Sequence, residues 1–417
     1  METLQPVPGR RRRKYREPWP TDGAGCEAGD RLAVTLGALD ARGEIRGEYA
    51  GFPVLVEGGI PGELVEVEII RRFPGHFAAR VVSVRDASPD RVLPPCPYFG
   101  PCTGCQWQHV AYPRQLEFKR TMVIEALKPV TALAGIAVRD PLPGPETLGY
   151  RNHARFTVGR TYGEVGYVNA VTRRFFPVDR CLLMHESINE VLAATQRKAI
   201  GMTQFSVRVG VNTGDRLIQP GLPDAVDLES GQTHLAERVL GRRFRIAGSS
   251  FFQVNTHQAE RMAELVIERL ELTGDEVLID AYAGVGTFAA LLAPSARRVI
   301  AIEDSPSAVE DARANAEGLG NVEFVRGRTE DVLAGIDEPV DAVILDPPRA
   351  GCHPGVLAAV ARLAPARVAL VSCDLDALAR DLSGLLRGPF AVDEIQPVDM
   401  FPQTRHVENV ALLRRSA

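Results

Sequence analysis

The sequence predicts a multidomain α/β protein. It combines a doubly wound, Rossmann-like parallel sheet at the C-terminal end, a small β-barrel near the N-terminus, and an α+β segment between them. Three observations carry this reading. At 417 residues the chain is too long for one ordinary core. From Gln258 onward, apolar strand runs alternate with helical patterns, as a parallel sheet requires. Between Asp30 and Arg85 short strands instead follow one another through turns that contain glycine or proline.

Composition narrows the class. Hydrophobic residues make up 45% and charged residues 24%, ordinary values for a globular protein. No run of about 18 uncharged apolar residues exists, so no transmembrane helix and no membrane partner are expected. The first residues are polar and basic without an apolar stretch, so no secretory signal is read and a cytoplasmic location is expected. Net charge is −5, which excludes a uniformly basic nucleic-acid binder and requires any such surface to be local. One local run, Arg10-Arg-Arg-Arg-Lys-Tyr-Arg16, either binds phosphate or is solvated, and residues 1–28 read as a flexible basic tail. Seven cysteines at this length do not suggest a disulfide framework.

In chain order, barrel strands are predicted at Leu32–Leu36, Gly43–Arg46, Pro53–Val56, Leu64–Ile69 and Phe77–Val84, giving an OB-type barrel over 29–87. Residues 88–250 form the middle segment. It holds a predicted helix at Tyr112–Leu127, strands near Asn152–Val158, Val165–Val168 and Phe205–Val211, and a helix over Glu186–Gln196. The last domain covers 251–417. Its first helix shows apolar spacing at Met262, Leu265, Val266 and Leu270. Strand Val277–Asp280, helix Thr287–Leu292, strand Arg298–Glu303, a helix opening at Ser305-Pro306, and strands Val322–Arg326 and Asp341–Asp346 follow. Then come a helix near Gly355–Leu363, strand Val368–Cys373 and helix Leu375–Leu386. Two final strands with a short connection, near Ala391–Val398 and His406–Leu413, predict an antiparallel pair.

Four motifs carry chemistry. The first is Asp280-Ala-Tyr-Ala-Gly-Val-Gly-Thr-Phe288, a strand ending in glycines before a helix, where backbone can approach a ligand closely. Glu303 ends the next strand, 19 residues beyond Gly284, where a carboxylate can accept both ribose hydroxyls. The missing third glycine turns the reading from a dinucleotide toward S-adenosylmethionine, as in the class I methyltransferases that this half resembles, a resemblance that implies Gly284, Gly286 and Thr287 at the cofactor. The second is Asp346-Pro-Pro-Arg-Ala-Gly351, a stiff loop at the carboxyl edge of the sheet, functional or merely structural. The third is Cys96-x5-Cys102-x2-Cys105, a spacing that suits iron–sulfur or zinc ligation equally, with Cys181 as the best fourth ligand. The fourth is Ser372-Cys373-Asp374 at the end of a buried strand, together with Glu408 early on the last one. Cys373 is either a small inert hydrophobe or a nucleophile. Glu408 is either a general base or a rim acid paired with Arg405.

In combination and in this order, the pieces resemble the bacterial RNA uracil-5-methyltransferase family over residues 30–417. Phe252-Gln-Val-Asn255 and His406-Val-Glu408 complete the likeness. The resemblance implies a class I methyltransferase domain, an N-terminal TRAM barrel that binds RNA, and a 4Fe–4S cluster on Cys96, Cys102, Cys105 and Cys181. It implies Cys373 as nucleophile, Glu408 as base, and Gln253, Tyr282, Glu303 and Asp346 as cofactor contacts. It implies that the stretch after Cys105 packs back on the catalytic domain. The implied activity is methylation of uridine C5 in RNA by a monomeric enzyme, with 23S ribosomal RNA favoured and tRNA the alternative. Thr287 stands where asparagine is usual, and Ala283 where many members carry cysteine. An RNA cytosine-5-methyltransferase would place Pro-Cys in the Asp346 loop, and an amino-methyltransferase an aromatic residue where Arg349 stands. A non-enzymatic iron–sulfur RNA-binding protein would have no need of the Cys373–Glu408 pair.

Overall fold

The computed structural model describes residues 25–416, so the Arg10–Arg16 run lies outside the described residues. Two compact units divide the chain. One holds residues 25–38 together with Ile45–Ser88. The other holds Leu39–Glu44 and everything from Pro89 onward.

The first unit is a closed barrel of β1 (Arg31–Leu39), β2 (Ile45–Tyr49), β3 (Phe52–Glu57), β4 (Leu64–Phe73) and β5 (His76–Asp86), in the order β1-β2-β3-β5-β4. Alternation builds it: Leu32, Val34 and Leu36 on β1, and Val65, Val67 and Ile69 on β4, are buried while their neighbours face outward. Closure removes the sheet edges that would otherwise stand unpaired.

The second unit opens with α1 (Tyr112–Leu127), at the predicted bounds. A five-stranded antiparallel sheet follows, made of β6 (His153–Val158), β7 (Val165–Val168), β8 (Phe175–Pro177), β9 (Gln204–Val209) and β10 (Arg216–Gln219). Its apolar face, with Phe156, Phe205 and Val207, is covered by Ile188, Val191 and Leu192 of α2 (Glu186–Thr195). A hairpin of β11 (His234–Val239) and β12 (Arg242–Ala247) comes next. The sequence reading missed β8, which is only three residues long, and also β10 and this hairpin, whose strands mix charged and apolar residues without a clean period.

The remaining elements are α3 (Thr256–Leu270), β13 (Val277–Ala281), α4 (Thr287–Leu292), β14 (Arg298–Glu303), α5 (Pro306–Asn315), β15 (Val322–Arg326), α6 (Thr329–Ala334), β16 (Ala342–Leu345), α7 (Pro354–Leu363), β17 (Arg367–Ser372), α8 (Leu375–Leu385), β18 (Phe390–Val398) and β19 (Glu408–Arg415). They form a seven-stranded sheet in the order β15-β14-β13-β16-β17-β19-β18. The first five strands of that order are parallel, and β19 runs antiparallel between β17 and β18. Strands β13 and β16 are buried along their whole length, which is why they read as continuous apolar runs. Helices α7 and α8 fill one face, and α3 and α4 the other. α3 begins five residues before the predicted Arg261, because Asn255 caps it by accepting the Gln258 N–H at 3.2 Å.

Helix α1 belongs to this core as well. Val123 and Leu127 join the cluster on the α7–α8 face, and Val138 and Leu142 pair with β18.

Candidate active site

Strand order brings the singled-out residues to one edge. β13, β14, β16 and β17 all end there, and the antiparallel β19 begins there. The ligand crevice of an open α/β sheet lies at this edge.

β13 runs into a loop that glycine alone suits. Gly284 and Gly286 have φ of 55° and 79°. A side chain at Gly286 would meet the Ala312 Cβ of α5 at 3.1 Å, whereas one at Gly284 would point into open space where a ligand can lie. The Glu303 carboxylate fixes the loop, its Oε2 accepting the Gly284 N–H at 2.8 Å and its Oε1 accepting Ser305 N–H at 2.8 Å. Tyr282, which is not glycine, holds φ of 64°, a strained backbone that the surrounding packing must enforce. Thr287 is the first residue of α4. Gln253 sits in the loop between β12 and α3. Asn152 holds that loop through the Gln253 carbonyl at 2.9 Å, and Phe252 packs beside Ala290 and Leu291 of α4.

One residue acquires a role that the sequence reading did not give it. Asp280 is fully buried under the loop. One carboxylate oxygen accepts the Ala289 N–H at 2.8 Å, and the other has no hydrogen-bond partner among the described residues. Burial, then the charges of Asp346 and Glu303, pushes its carboxyl up to about 7. Asp346 is likewise pushed up to about 7 by burial. Asp280 at the end of β13 thus feels two further carboxyl groups, Glu303 at the end of β14 and Asp346 after β16. They fit a cationic ligand such as S-adenosylmethionine, whose sulfonium and ammonium would offset them.

Beside them stand Cys373 and Glu408. Ser372 pairs with Asn409 across β17 and β19, which sets the next residue of one strand next to the preceding residue of the other. Burial first, and then the Glu408 charge, pushes the Cys373 thiol up to about 11, while Arg349 opposes the shift. Burial and Asp346 hold the Glu408 carboxyl well above the usual carboxylate range, again opposed by Arg349. Glu408 makes no ion pair with Arg405. Arg349, in the loop after β16, is thus the cation that makes anions tolerable here. Its position after Asp-Pro-Pro was the available sequence signal.

The loop from Asp399 to Val407 leads into Glu408 and is clamped by α1. Lys119 is fully buried, ion-paired with the equally buried Asp399, and donates to the Phe401 carbonyl at 3.0 Å. The Tyr112 hydroxyl donates to the other Asp399 oxygen at 2.8 Å. Gln115 and Gln403 exchange hydrogen bonds at 3.0 Å each. The Gln106 and Trp107 N–H groups donate to the Gln403 carbonyl at 3.1 and 3.0 Å.

Those two residues directly follow Cys105. Cys96, Cys102, Cys105 and Cys181 line one cavity of about 280 Å³. Gln108 bridges its wall, donating to the Cys105 sulfur at 3.1 Å and accepting the Cys96 N–H at 3.2 Å. Burial, with the charges of the other thiols, raises Cys96, Cys102 and Cys105. Among the described residues no three His, Cys, Asp or Glu side chains converge as a metal-ligand set, so these thiols bound the cavity rather than meet at one point. All four are free thiols around that one cavity, the donor type that iron–sulfur or zinc ligation requires.

Among the described residues no helix is long and apolar enough to cross a membrane. A sequence model of the family described as tRNA (uracil-5-)-methyltransferase matches residues 181–416. An "uncharacterized RNA methyltransferase" of Gloeobacter violaceus is 34% identical over 95% of this chain and 99% of its own. A second, of Thermosynechococcus vestitus, is 33% identical over 94% and 99%. Among solved structures, a Pyrococcus abyssi tRNA (uracil-54, C5)-methyltransferase in complex with S-adenosyl-L-homocysteine superposes with a TM-score of 0.73. It is 26% identical, over 92% of this chain and 99% of its own.

Proposed function

Because the chain belongs to the tRNA (uracil-5-)-methyltransferase family and is an S-adenosylmethionine-dependent RNA methyltransferase, we propose that it methylates C5 of a specific uridine through a covalent Cys373–C6 adduct. The observation that carries this reading is the meeting of Cys373 and Glu408 on adjacent strands beside the glycine loop. Domain roles follow: 29–87 binds RNA, 88–250 carries the cysteine cavity, and 251–417 performs methyl transfer.

Uracil C5 is a poor nucleophile. The Cys373 thiolate adds to C6, and the C5=C6 electrons move onto the ring to give an enolate. S-adenosylmethionine would supply an electrophilic methyl group: C5 takes it as the S–CH3 bond breaks, and S-adenosylhomocysteine is the leaving group. Glu408 then removes the C5 proton, the electrons re-form C5=C6, and Cys373 leaves as thiolate. Arg349 stabilises the thiolate and the Glu408 carboxylate in turn. Gly284, Gly286, Thr287, Gln253 and Tyr282 shape the cofactor site, Glu303 holds ribose, and Asp346 holds either the cofactor or the uracil edge. The target base must leave its stack to reach this edge, which costs roughly a few kcal/mol.

Glu408→Gln should slow turnover about 10²- to 10⁴-fold, the usual range for a lost general base, and should accumulate protein–RNA adduct on denaturing gels. Equal loss of adduct and product would remove the base role. For the free enzyme, log(kcat/KM) should climb with pH through the neutral and mildly alkaline range. The attacking species is the thiolate, and Cys373 is held near 11. Arg349→Met should move that profile to still higher pH, because it removes the one cation that opposes the shift. A flat profile in both proteins would contradict thiolate attack.

Cys96, Cys102, Cys105 and Cys181 would hold a 4Fe–4S cluster, which supplies a rigid cross-link between distant loops. Methyl transfer itself moves no net electrons. Anaerobically purified protein should contain iron and acid-labile sulfide in equal amounts, and Cys181→Ser should lose both. Zinc without sulfide would overturn the cluster. The barrel and the cysteine cavity together favour 23S ribosomal RNA. The Pyrococcus abyssi neighbour, named for uracil 54 of tRNA, makes tRNA the alternative. Either substrate places the enzyme in the cytoplasm.

A further inference from the structure

The barrel carries one hairpin unlike the rest of this acidic chain. Between Glu68 and Asp86 there is no carboxylate side chain, while Arg71, Arg72, His76, Arg80 and Arg85 fall in the same stretch. β4 and β5 are joined there by Pro74-Gly75, with Gly75 at φ of 105°, and Phe73 faces His76 across the closing pair. The two rings stack with centroids 4.8 Å apart and planes 12° from parallel. The Arg71 guanidinium lies 4.8 Å from the Phe73 centroid, and that of Arg72 lies 5.9 Å from Phe77. Arg80, nearer the hairpin base, pairs with Glu68 at 3.3 Å. Arg71 and Arg72 are exposed and enter no ion pair among the described residues.

Two uncompensated guanidiniums beside a pre-stacked aromatic pair match a single nucleic-acid strand. Phosphates take the charges, and an unstacked base takes the π-face. The rings already hold one another, so little side-chain freedom remains to be lost on binding. We propose that the tip of the β4–β5 hairpin, Arg71 to His76, grips a single-stranded segment of the substrate RNA outside the methylated base. Arg71 and Arg72 hold phosphates, and the Phe73–His76 stack holds a base. This deepens the reading given under Proposed function and depends on RNA being the substrate.

The test compares the full-length parent with Arg71→Ala/Arg72→Ala and with His76→Ala. Each is titrated against a labelled fragment of the RNA it methylates, over a range of salt. With about 0.7 released counterions per single-strand phosphate, the double variant should flatten the slope of log K against log salt by about 1.4 and weaken binding about tenfold. His76→Ala should weaken binding about fivefold and leave the slope as it is. In turnover, both losses should fall on KM. All these side chains are surface groups, so melting temperatures should match the parent. An unchanged slope and KM in the double variant would overturn the hairpin assignment while leaving methyl transfer by Cys373 intact. If the parent fails to form a Cys373 adduct, the catalytic reading falls instead, and the same salt slopes still decide whether the hairpin holds RNA.

Discussion

Cys373→Ala should abolish methyl transfer to RNA, with a loss beyond about 10⁴-fold, because removing a nucleophile removes the covalent route itself. The expectation follows from position. Cys373 caps a buried strand at the edge where Asp280, Glu303 and Asp346 also end, and it feels the charge of Glu408. Cofactor affinity should survive, since alanine leaves the glycine loop and the Glu303–Gly284 bond in place. Equilibrium dialysis with S-adenosylhomocysteine checks that half, and labelled-methyl transfer checks the other. A variant that still methylates RNA would return Cys373 to the status of a small inert hydrophobe.

Lys119→Met should lower stability by about 3–5 kcal/mol, the usual effect of removing one partner from a buried ion pair. Asp399 would be left without its cation in a fully buried site, with the Tyr112 hydroxyl as its remaining side-chain partner among the described residues. The same loop leads to Glu408, so kcat should fall with it. Replacing both partners, Lys119→Met with Asp399→Leu, should recover much of the stability, because no charge is then left uncompensated. Thermal unfolding of the three variants checks this. A single substitution as mild as the double one would show that the pair contributes little.

The sequence exposed those parts of the site that obey a local rule. Cys373 was visible because an apolar run stops there, and Gly284 and Gly286 because a strand meets a helix through glycine. Glu303 was visible because it ends the next strand. The clamp obeys no local rule. Gln115 and Gln403 are 288 residues apart, and Lys119 on a helix reads as a solvated charge until Asp399 is found beside it. Arg349 has no local signal beyond its place after Asp-Pro-Pro, and its electrostatic role depends on the neighbouring strands that carry Cys373 and Glu408. Asp280 ends an apolar strand and has no local feature that marks it, because only packing shows one of its oxygens to lack a hydrogen-bond partner among the described residues. The β11–β12 hairpin escaped because its burial does not alternate: Leu235, Ala236 and Glu237 are buried in succession, as are Ile246 and Ala247.

The central claim is that the Cys373 sulfur bonds to uracil C6. Transcripts of 23S ribosomal RNA fragments and of tRNA, made with 5-fluorouridine, test it when incubated with the enzyme and labelled S-adenosylmethionine. Fluorine at C5 leaves Glu408 no proton to remove, so the adduct should persist through denaturation. It should carry label, and mass spectrometry should locate it at Cys373. The transcript that traps identifies the substrate. No trapped complex with either transcript, from protein that binds S-adenosylmethionine, would contradict the uracil C5 assignment.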